Sequence, residues 1–498
     1  KLKSSGGPIT QDNTSVEYYC TIFAANESPL KEGLLWVGSD DGLINVTQDG
    51  GKTWTDVTPK GMPEWMMINS IEPSAFDEGT CYVAGTKYKT GDFAPYLYKT
   101  TNYGKSWTKI TNGINEEHFT RVLREDPKRK GLLYAGTEIG MYISFNDGKD
   151  WKPFQLNLPI VPITDVTIKD NNLIVATQGR SLWMIDDLSV IHQLYDADLS
   201  KTVVFKPKDT YRMRGGSRKG SKTNGTNHPN GVMTYFNLKD LKEDDKVSLT
   251  YFDIKGDTIK TFSTSDKKNK LKVKKGANQF VWDMTYDGAE KLDGMILWWA
   301  SLDGPKAIPG TYKVSLNIKN AVTSSAVEMS QPFTILADPR AESTQADMQK
   351  QFDFIEDVNK TMDDAHQSIK KIRAVNKQLG AFQKQYKDDE TVKELVEKAK
   401  ALEEQLSTIE KELYQTQNRS GQDPLNFPIR LTNKLGHLNA LVRMGDFAPT
   451  EQDIAVKNEL SAQIETQLKA FNTILNDEVK AFNAAFNAKQ LNYLFVED

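Results

Sequence analysis

The octapeptide Thr47–Trp54, TQDGGKTW, decides the fold because the chain writes it three times. It returns as TTNYGKSW at Thr100–Trp107 and as SFNDGKDW at Ser144–Trp151, so the closing tryptophans stand 53 and 44 residues apart. A second recurring piece runs ahead of each copy. GLLWVGSDDGLINVT (Gly33–Thr47) matches GLLYAGTEIGMYISF (Gly131–Phe145). GTCYVAGTKY (Gly79–Tyr88) followed by PYLYKTT (Pro95–Thr101) is a looser version. Each unit reads as four short β-rich runs separated by turns of Gly, Asp and Asn. Units of roughly 40–50 residues with four strands each are the pattern of β-propeller blades.

The octapeptide has the form S/T-x-D-x-G-x-T/S-W, which describes an Asp-box hairpin. Its hydroxyl and carboxylate suit backbone N–H groups of the turn, and its glycine permits positive φ. The tryptophan is expected to pack the turn against its own blade. The three sets are Thr47, Asp49, Gly51 and Trp54; Thr100, Asn102, Gly104 and Trp107; and Ser144, Asn146, Gly148 and Trp151. Asn102 and Asn146 stand where the first copy has Asp49, which keeps hydrogen bonding and drops the charge. That exchange points to structure rather than catalysis. A fourth unit, NNLIVATQGRSLWMIDDL (Asn171–Leu188), repeats the run-then-turn pattern and ends without the motif, as terminal repeats do.

Residues 1–195 therefore read as a partial β-propeller of about three and a half to four blades. A ring usually closes with roughly four to eight blades, and an open fan leaves bare sheet faces and edges. The expectation is that an upstream propeller fragment or another chain completes the ring. Lys1 as the first residue fits a mature, cleaved or expressed product.

Beyond residue 200 the pattern changes. Seven runs between 201 and 340 predict an immunoglobulin-like β-sandwich. They are Thr202–Lys206, Val232–Leu238, Val247–Asp253, Ile259–Ser263, Asn278–Met284, Gly310–Ile318 and Gln331–Leu336, with Trp282 as a buried ring. Inside this region Tyr211–Gly231 carries Arg212, Arg214, Arg218, Lys219 and Lys222 and no acid. It reads either as a solvated loop or as a basic loop that holds an acidic ligand or clamps an adjoining domain. From 341 to 498 helical periodicity takes over. Leu395, Ala399, Leu402, Leu406, Ile409 and Leu413 make one apolar stripe, and Thr344 with Asp347 and Thr450 with Asp453 read as capping pairs. A helical bundle is expected, with an extended coiled coil as the runner-up. The chain is thus multidomain: propeller portion, sandwich, helical bundle.

The formal net charge of −4 over 498 residues gives no case for nucleic acid. No run approaches the roughly 18 apolar residues of a membrane span. Cys20 and Cys81 allow one bridge or two free thiols. Five scattered histidines, with no H-E-x-x-H, G-x-S-x-G or P-loop, leave metal, nucleophile-elbow and nucleotide chemistry unsupported, and no cofactor is expected. The residues left as candidate ligand contacts are the acidic pairs Asp40–Asp41 and Asp186–Asp187 and the lone Arg180, all in propeller turns. Paired carboxylates are what glycoside hydrolysis requires.

GGPITQDNTSVEYY, GLLWVGSDDGLINVTQDGGKTWTDVTP, REDPKRKGLLYAGTEIGMYISFNDGKDW, QGRSLWMIDDL and LNFPIRLTNKL together resemble a family of large bacterial extracytoplasmic proteins. These are described as "glycosyl hydrolase, BNR repeat" or sortilin/Vps-ten-domain-containing. The resemblance implies an exported protein, about twice this length, with further Asp-box blades ahead. It also implies either of two activities. One is a non-catalytic binding or scaffold propeller that takes a polypeptide or glycan, within a surface assembly. The other is a secreted hydrolase, of glycosidase, sialidase, xyloglucanase or peptidase type, with its catalytic residues mainly upstream.

Overall fold

The structure, a computed structural model, describes residues 20–213, 225, 227–319 and 326–491. The chain divides into two compact units, residues 1–199 and 200–498.

The first unit is a series of small antiparallel sheets in chain order, each a meander, as in β-propeller blades. Blade 1 holds β1 (Ile22–Glu27), β2 (Leu35–Ser39), β3 (Ile44–Thr47) and β4 (Thr55–Asp56). Blade 2 holds β5 (Met67–Pro73), β6 (Cys81–Lys87), β7 (Asp92–Thr100) and β8 (Thr108–Lys109). Blade 3 holds β9 (Thr120–Glu125), β10 (Leu133–Thr137), β11 (Gly140–Ser144) and β12 (Lys152–Pro153). Blade 4 has three strands, β13 (Ile163–Lys169), β14 (Asn172–Thr177) and β15 (Leu182–Ile185). The chain then enters the short helix α1 (Ser189–Leu194).

Successive blades are glued by shared apolar cores. Trp36, Ile44 and Val46 of blade 1 pack with Ile68, Cys81 and Val83 of blade 2. Leu97 and Ile110 of blade 2 pack with Leu133 and Trp151 of blade 3. Met141 and Ile143 of blade 3 pack with Ile163, Val166 and Val175 of blade 4. The approach is close enough that a Cβ would collide across the joint at several glycines, Gly38 and Gly136 among them. A Cβ on Gly38 would lie 2.4 Å from Ile68 Cγ2, and one on Gly136 would lie 2.6 Å from Ile163 Cγ2. Cys20 is exposed and Cys81 buried, and both are free thiols.

The second unit contains two sheets over one core. The smaller pairs β16 (Val203–Val204), β18 (Val232–Leu238) and β21 (Gly276–Trp282). The larger runs β17-β23-β22-β19-β20, with β17 (Thr210–Arg212), β19 (Lys246–Phe252), β20 (Thr258–Ser263), β22 (Gly310–Lys319) and β23 (Ala326–Ala337). The β17–β23 pair is parallel and the rest are antiparallel. Trp282 is fully buried between the sheets and stacks on Tyr251 at 4.5 Å.

Five helices share a second core: α2 (Gln345–Gln385), α3 (Lys393–Leu413), α4 (Leu431–Val442), α5 (Glu451–Thr473) and α6 (Val479–Ala488). The coiled-coil alternative gives way to this bundle. Both capping boxes form: Thr344 and Thr450 each accept from the N–H of the aspartate three residues on, which returns the bond to the cap N–H. Buried amides tie the segment after β21 to the helices. Asn433 bonds both N–H and C=O of Trp298, and Asn359 and Asn439 donate to Asp303 O at 3.0 and 3.1 Å.

Candidate functional site

The three motif turns have one hydrogen-bond design. In blade 1, Thr47 Oγ1 accepts from Gly51 N at 3.0 Å, and Asp49 accepts from Thr53 N at 2.9 Å and Thr53 Oγ1 at 2.6 Å. The Thr53 hydroxyl above all holds the Asp49 carboxyl well below the usual carboxylate range. In blade 2, Thr100 accepts from Gly104 N and Asn102 from Ser106 N, both at 3.0 Å. In blade 3, Ser144 accepts from Gly148 N at 3.0 Å and Asn146 from Asp150 N at 2.9 Å. An amide oxygen thus takes the backbone N–H that the carboxylate takes, while the amide Nδ2 donates, to Ser106 Oγ at 2.9 Å and to Asp150 Oδ2 at 2.8 Å, where Asp49 accepts from the Thr53 hydroxyl.

The tryptophans do something the sequence reading missed. Two of them, Trp107 and Trp151, also reach the preceding blade. Trp107 Nε1 donates to Val57 O of blade 1 at 2.6 Å, and Trp151 Nε1 donates to Ile110 O of blade 2 at 2.7 Å. Val57 and Ile110 each directly follow the outer strand of their blade.

The blades have two rims, and the candidate residues divide between them. The motif turns lie on the rim where each blade's first turn also lies, as Gly50 N→Gly33 O, Tyr103 N→Gly79 O and Asp147 N→Gly131 O show. Asp187 belongs to this rim, where Oδ1 accepts from Ser189 N at 2.9 Å and Asn171 Nδ2 at 3.2 Å. Asp186 lies beside it. Asp40, Asp41 and Arg180 are on the opposite rim, in the turns between each blade's second and third strands. Asp40 Oδ1 accepts from Cys20 N and Thr21 N, both at 2.9 Å, and Asp41 accepts from Ser39 Oγ. Arg180 is exposed, and its Nη1 donates to Gly179 O at 2.9 Å. The structure therefore brings no acidic pair together with the other.

That second rim holds residues that sequence reasoning did not single out. Every blade carries a β-bulge at the same place in its innermost strand. The residues left without a ladder partner are Phe23, Asn69, Arg121 and Thr164. Bulges bend a strand and re-aim a side chain, and they recur beside sites. At Arg121 the surroundings are developed furthest. Its guanidinium lies 5.5 Å from the Tyr88 ring centre and 5.2 Å from that of Phe119, and those rings stack at 4.9 Å. Glu138 holds the guanidinium at 2.6–2.7 Å. Phe93 borders the stack at 6.1 Å and is half exposed. Exposed Ile139, Leu156 and Ile160 continue the rim, the loop 154–162 being tied to it by Gly140 N→Val161 O and Gln178 N→Pro162 O.

Further along the innermost strands, charges link blades 2 to 4. Arg124 on β9 lies 3.6 Å from Glu72 on β5 and 2.9 Å from Asp165 on β13, and it donates to Ser70 Oγ at 2.6 Å. Burial pushes the Glu72 carboxyl up to about 7, against the opposing pull of Arg124. Burial also raises Glu125, which accepts from Ser74 Oγ at 2.5 Å. Arginines in the run TRVLRE (Thr120–Glu125), otherwise the pattern of a buried strand, were the available signal. The bulge that separates their roles leaves no mark in sequence.

Of the basic loop, Arg214, Arg218, Lys219 and Lys222 lie outside the described residues. Arg212 is not a loop residue. It sits on β17, 2 % exposed, donating to Ala307 O at 3.0 Å and to Gln351 Oε1 of α2 at 3.3 Å, and paired with Asp446. It clamps sandwich to helices. Among the described residues no group of three or more His, Cys, Asp or Glu has the arrangement to hold a metal ion, and no helix is long and apolar enough to cross a membrane.

No protein-family model matches the chain. An oligoxyloglucan-reducing end-specific xyloglucanase from Emericella nidulans is 26% identical over 113 residues, which is 22% of this chain and 13% of that protein. The chain thus spans only a small part of that relative's length. Among solved structures, YCF48 bound to D1 peptide matches with TM-score 0.27 and 19% identity over 34% of this chain and 52% of that one. The GH74 xyloglucanase from Xanthomonas campestris matches with TM-score 0.28 and 15% identity over 64% and 46%.

Proposed function

We propose that the protein is an exported, non-catalytic binding or scaffold protein whose propeller takes an extended polypeptide on the rim around Arg121, within a surface assembly. The observation that carries this is the bulge at one equivalent position in four successive innermost strands, with an arginine held over stacked Tyr88 and Phe119 at one of them. Glu138 fixes the guanidinium through Nε and Nη2 and leaves Nη1 to donate to carbonyl or carboxylate oxygens. Exposed Phe93, Ile139, Leu156 and Ile160 along the same rim suit apolar peptide side chains better than sugar hydroxyls. Export follows the family resemblance. The strand order of the sandwich, with its one parallel edge pair, supports an immunoglobulin-like assignment.

A second reading, a secreted glycoside hydrolase, has one observation in its favour. Burial pushes Glu72 up to about 7, and it lies with Asp165 about one arginine, so two carboxyls share one neighbourhood. The partial similarity to a xyloglucanase agrees with it. Peptide and glycan arrays, run beside a fluorogenic glycoside and peptide panel, separate the readings. The binding reading expects peptide retention without turnover, lost in Arg121→Ala and Phe93→Ala. Turnover abolished by Glu72→Gln would replace it with the hydrolase reading.

A further inference from the structure

A polar cleft in the helical part of the second unit carries groups that packing does not use. It holds about 400 Å³, within the range of about 300–1,000 Å³ typical of small-ligand sites. Four pieces of chain wall it: the segment after β21 at Asp293, α2 at Arg373, α3 over 407–411 and the loop 414–419. Part of the lining is structural. Arg373 Nε donates to Glu410 Oε1 at 2.7 Å, and its guanidinium lies 5.7 Å from the centre of the Tyr414 ring. That tie fixes α2 to α3. The rest has no such role. Arg373 Nη1 and Nη2 donate to no described residue, and among the described residues neither Lys411 nor Asp293 makes an ion pair. Arg419 uses only Nη1, which donates to Thr416 O at 2.8 Å and Asn418 O at 3.1 Å. Asn418 is 7% exposed, and its Oδ1 is buried with no donor among the described residues. Buried polar atoms without a partner are few in native proteins, and they mark strain, a site or a missing ligand.

These groups fall into two kinds, and one molecule can satisfy both. The Nη groups of Arg373, the Lys411 ammonium, and Nε and Nη2 of Arg419 are charged donors that suit an anion. Asn418 Oδ1, turned to the cavity about its broad χ2 torsion, and the Asp293 carboxylate are acceptors that suit hydroxyls. Ser407 Oγ accepts from Asn376 Nδ2 at 3.1 Å and keeps its own proton to donate. Three cations face two carboxylates, and one of those, Glu410, is already held by Arg373, so the cleft favours an anion over a cation. An apolar ligand finds no free wall, because the one aromatic ring in the lining, Tyr414, lies under Arg373. We propose that this cleft binds an anionic sugar, a single residue with a carboxylate or phosphate beside its hydroxyls. The acid group sits among Arg373, Lys411 and Arg419, and the hydroxyls reach Asn418 and Asp293. The cleft lies wholly within the second unit. It therefore stands or falls apart from the polypeptide reading of the propeller rim.

Isothermal titration of the full chain with glucuronate, glucose 6-phosphate, glucose and inorganic phosphate is the test. At least one of the two sugar acids is expected to bind about tenfold or more tightly than both glucose and inorganic phosphate. The tighter of the two names the anionic group. Arg419→Gln and Lys411→Gln sit at exposed positions, so both variants should keep the parent's urea midpoint. Together they are expected to weaken the sugar acid about tenfold or more. Asn418→Leu keeps the volume and removes the acceptor, and it should weaken the sugar acid while leaving inorganic phosphate unchanged. Four results would overturn the proposal. They are silence of both sugar acids, glucose binding as tightly as they do, inorganic phosphate binding as tightly as they do, and undiminished binding in the folded Arg419→Gln, Lys411→Gln double variant.

Discussion

Replacing Trp151 by phenylalanine tests directly whether a motif tryptophan ties its blade to the one before, because the same substitution at Trp54 is its control. Trp151 is 3% exposed and its indole N–H reaches Ile110 O at 2.7 Å. Phenylalanine keeps an aromatic ring and removes that donor. Stranding a buried carbonyl costs about 1–3 kcal/mol, and the smaller ring leaves a void that adds about 1 kcal/mol. Together Trp151→Phe is expected to cost about 2–4 kcal/mol. Trp54 has the same motif position, yet it is 45% exposed and has no neighbouring blade among the described residues, so Trp54→Phe is expected to fall within about 0.5 kcal/mol of the parent. The assay is urea unfolding of the full chain read by hydrogen exchange of peptides from residues 20–199, which keeps the transition of the second unit apart. Equal costs at the two tryptophans would refute the reasoning, since they would make the ring's contacts within its own turn the source of stability.

Three further outcomes follow from particular contacts. Glu72, held at about 7 against an ordinary 4.5, makes its ionised form cost the fold about 3 kcal/mol. Its folded pKa is the raised one, so stability is full below about pH 4.5 and is lost as pH rises towards 7; Glu72→Gln should flatten that part of a pH–stability curve. Gly136→Val drives side-chain atoms into Ile163, already 2.6 Å from a Cβ, and should cost about 1–3 kcal/mol by overpacking, read as earlier urea unfolding of blades 3 and 4. Arg212→Met strands Asp446 beside the sandwich and should cost about 3–5 kcal/mol, whereas Arg212→Met with Asp446→Leu should recover most of the loss in the same urea experiment.

The blades were legible because three residues per turn, a hydroxyl, an Asp or Asn and a glycine, are dictated by one local hydrogen-bond pattern that repeats in sequence. The capping boxes at Thr344 and Thr450 were legible for the same reason: donor and acceptor lie three residues apart. What depends on partners distant in sequence was not. Trp107 donates across 50 residues and Trp151 across 41, so the sequence showed that each ring was needed and not which blade it served. Arg212 read as part of a basic loop because its partners Gln351 and Asp446 lie far along the chain. The rim around Arg121 escaped notice because a bulge adds one residue to a strand without changing its composition. The acidic pairs drew attention by being adjacent in sequence, and one carboxylate of each, Asp40 and Asp187, serves backbone N–H groups.

The claim on which the functional account stands is that the two rims differ in kind, one holding the blades together and one taking the ligand. Hydrogen–deuterium exchange of the full chain with and without the strongest peptide from the array measures this. The account predicts slowed exchange at 86–93, 118–122 and 137–140, with the motif turns at 47–54, 100–107 and 144–151 unchanged. Protection confined to the motif turns, with 118–122 unaffected, would contradict it.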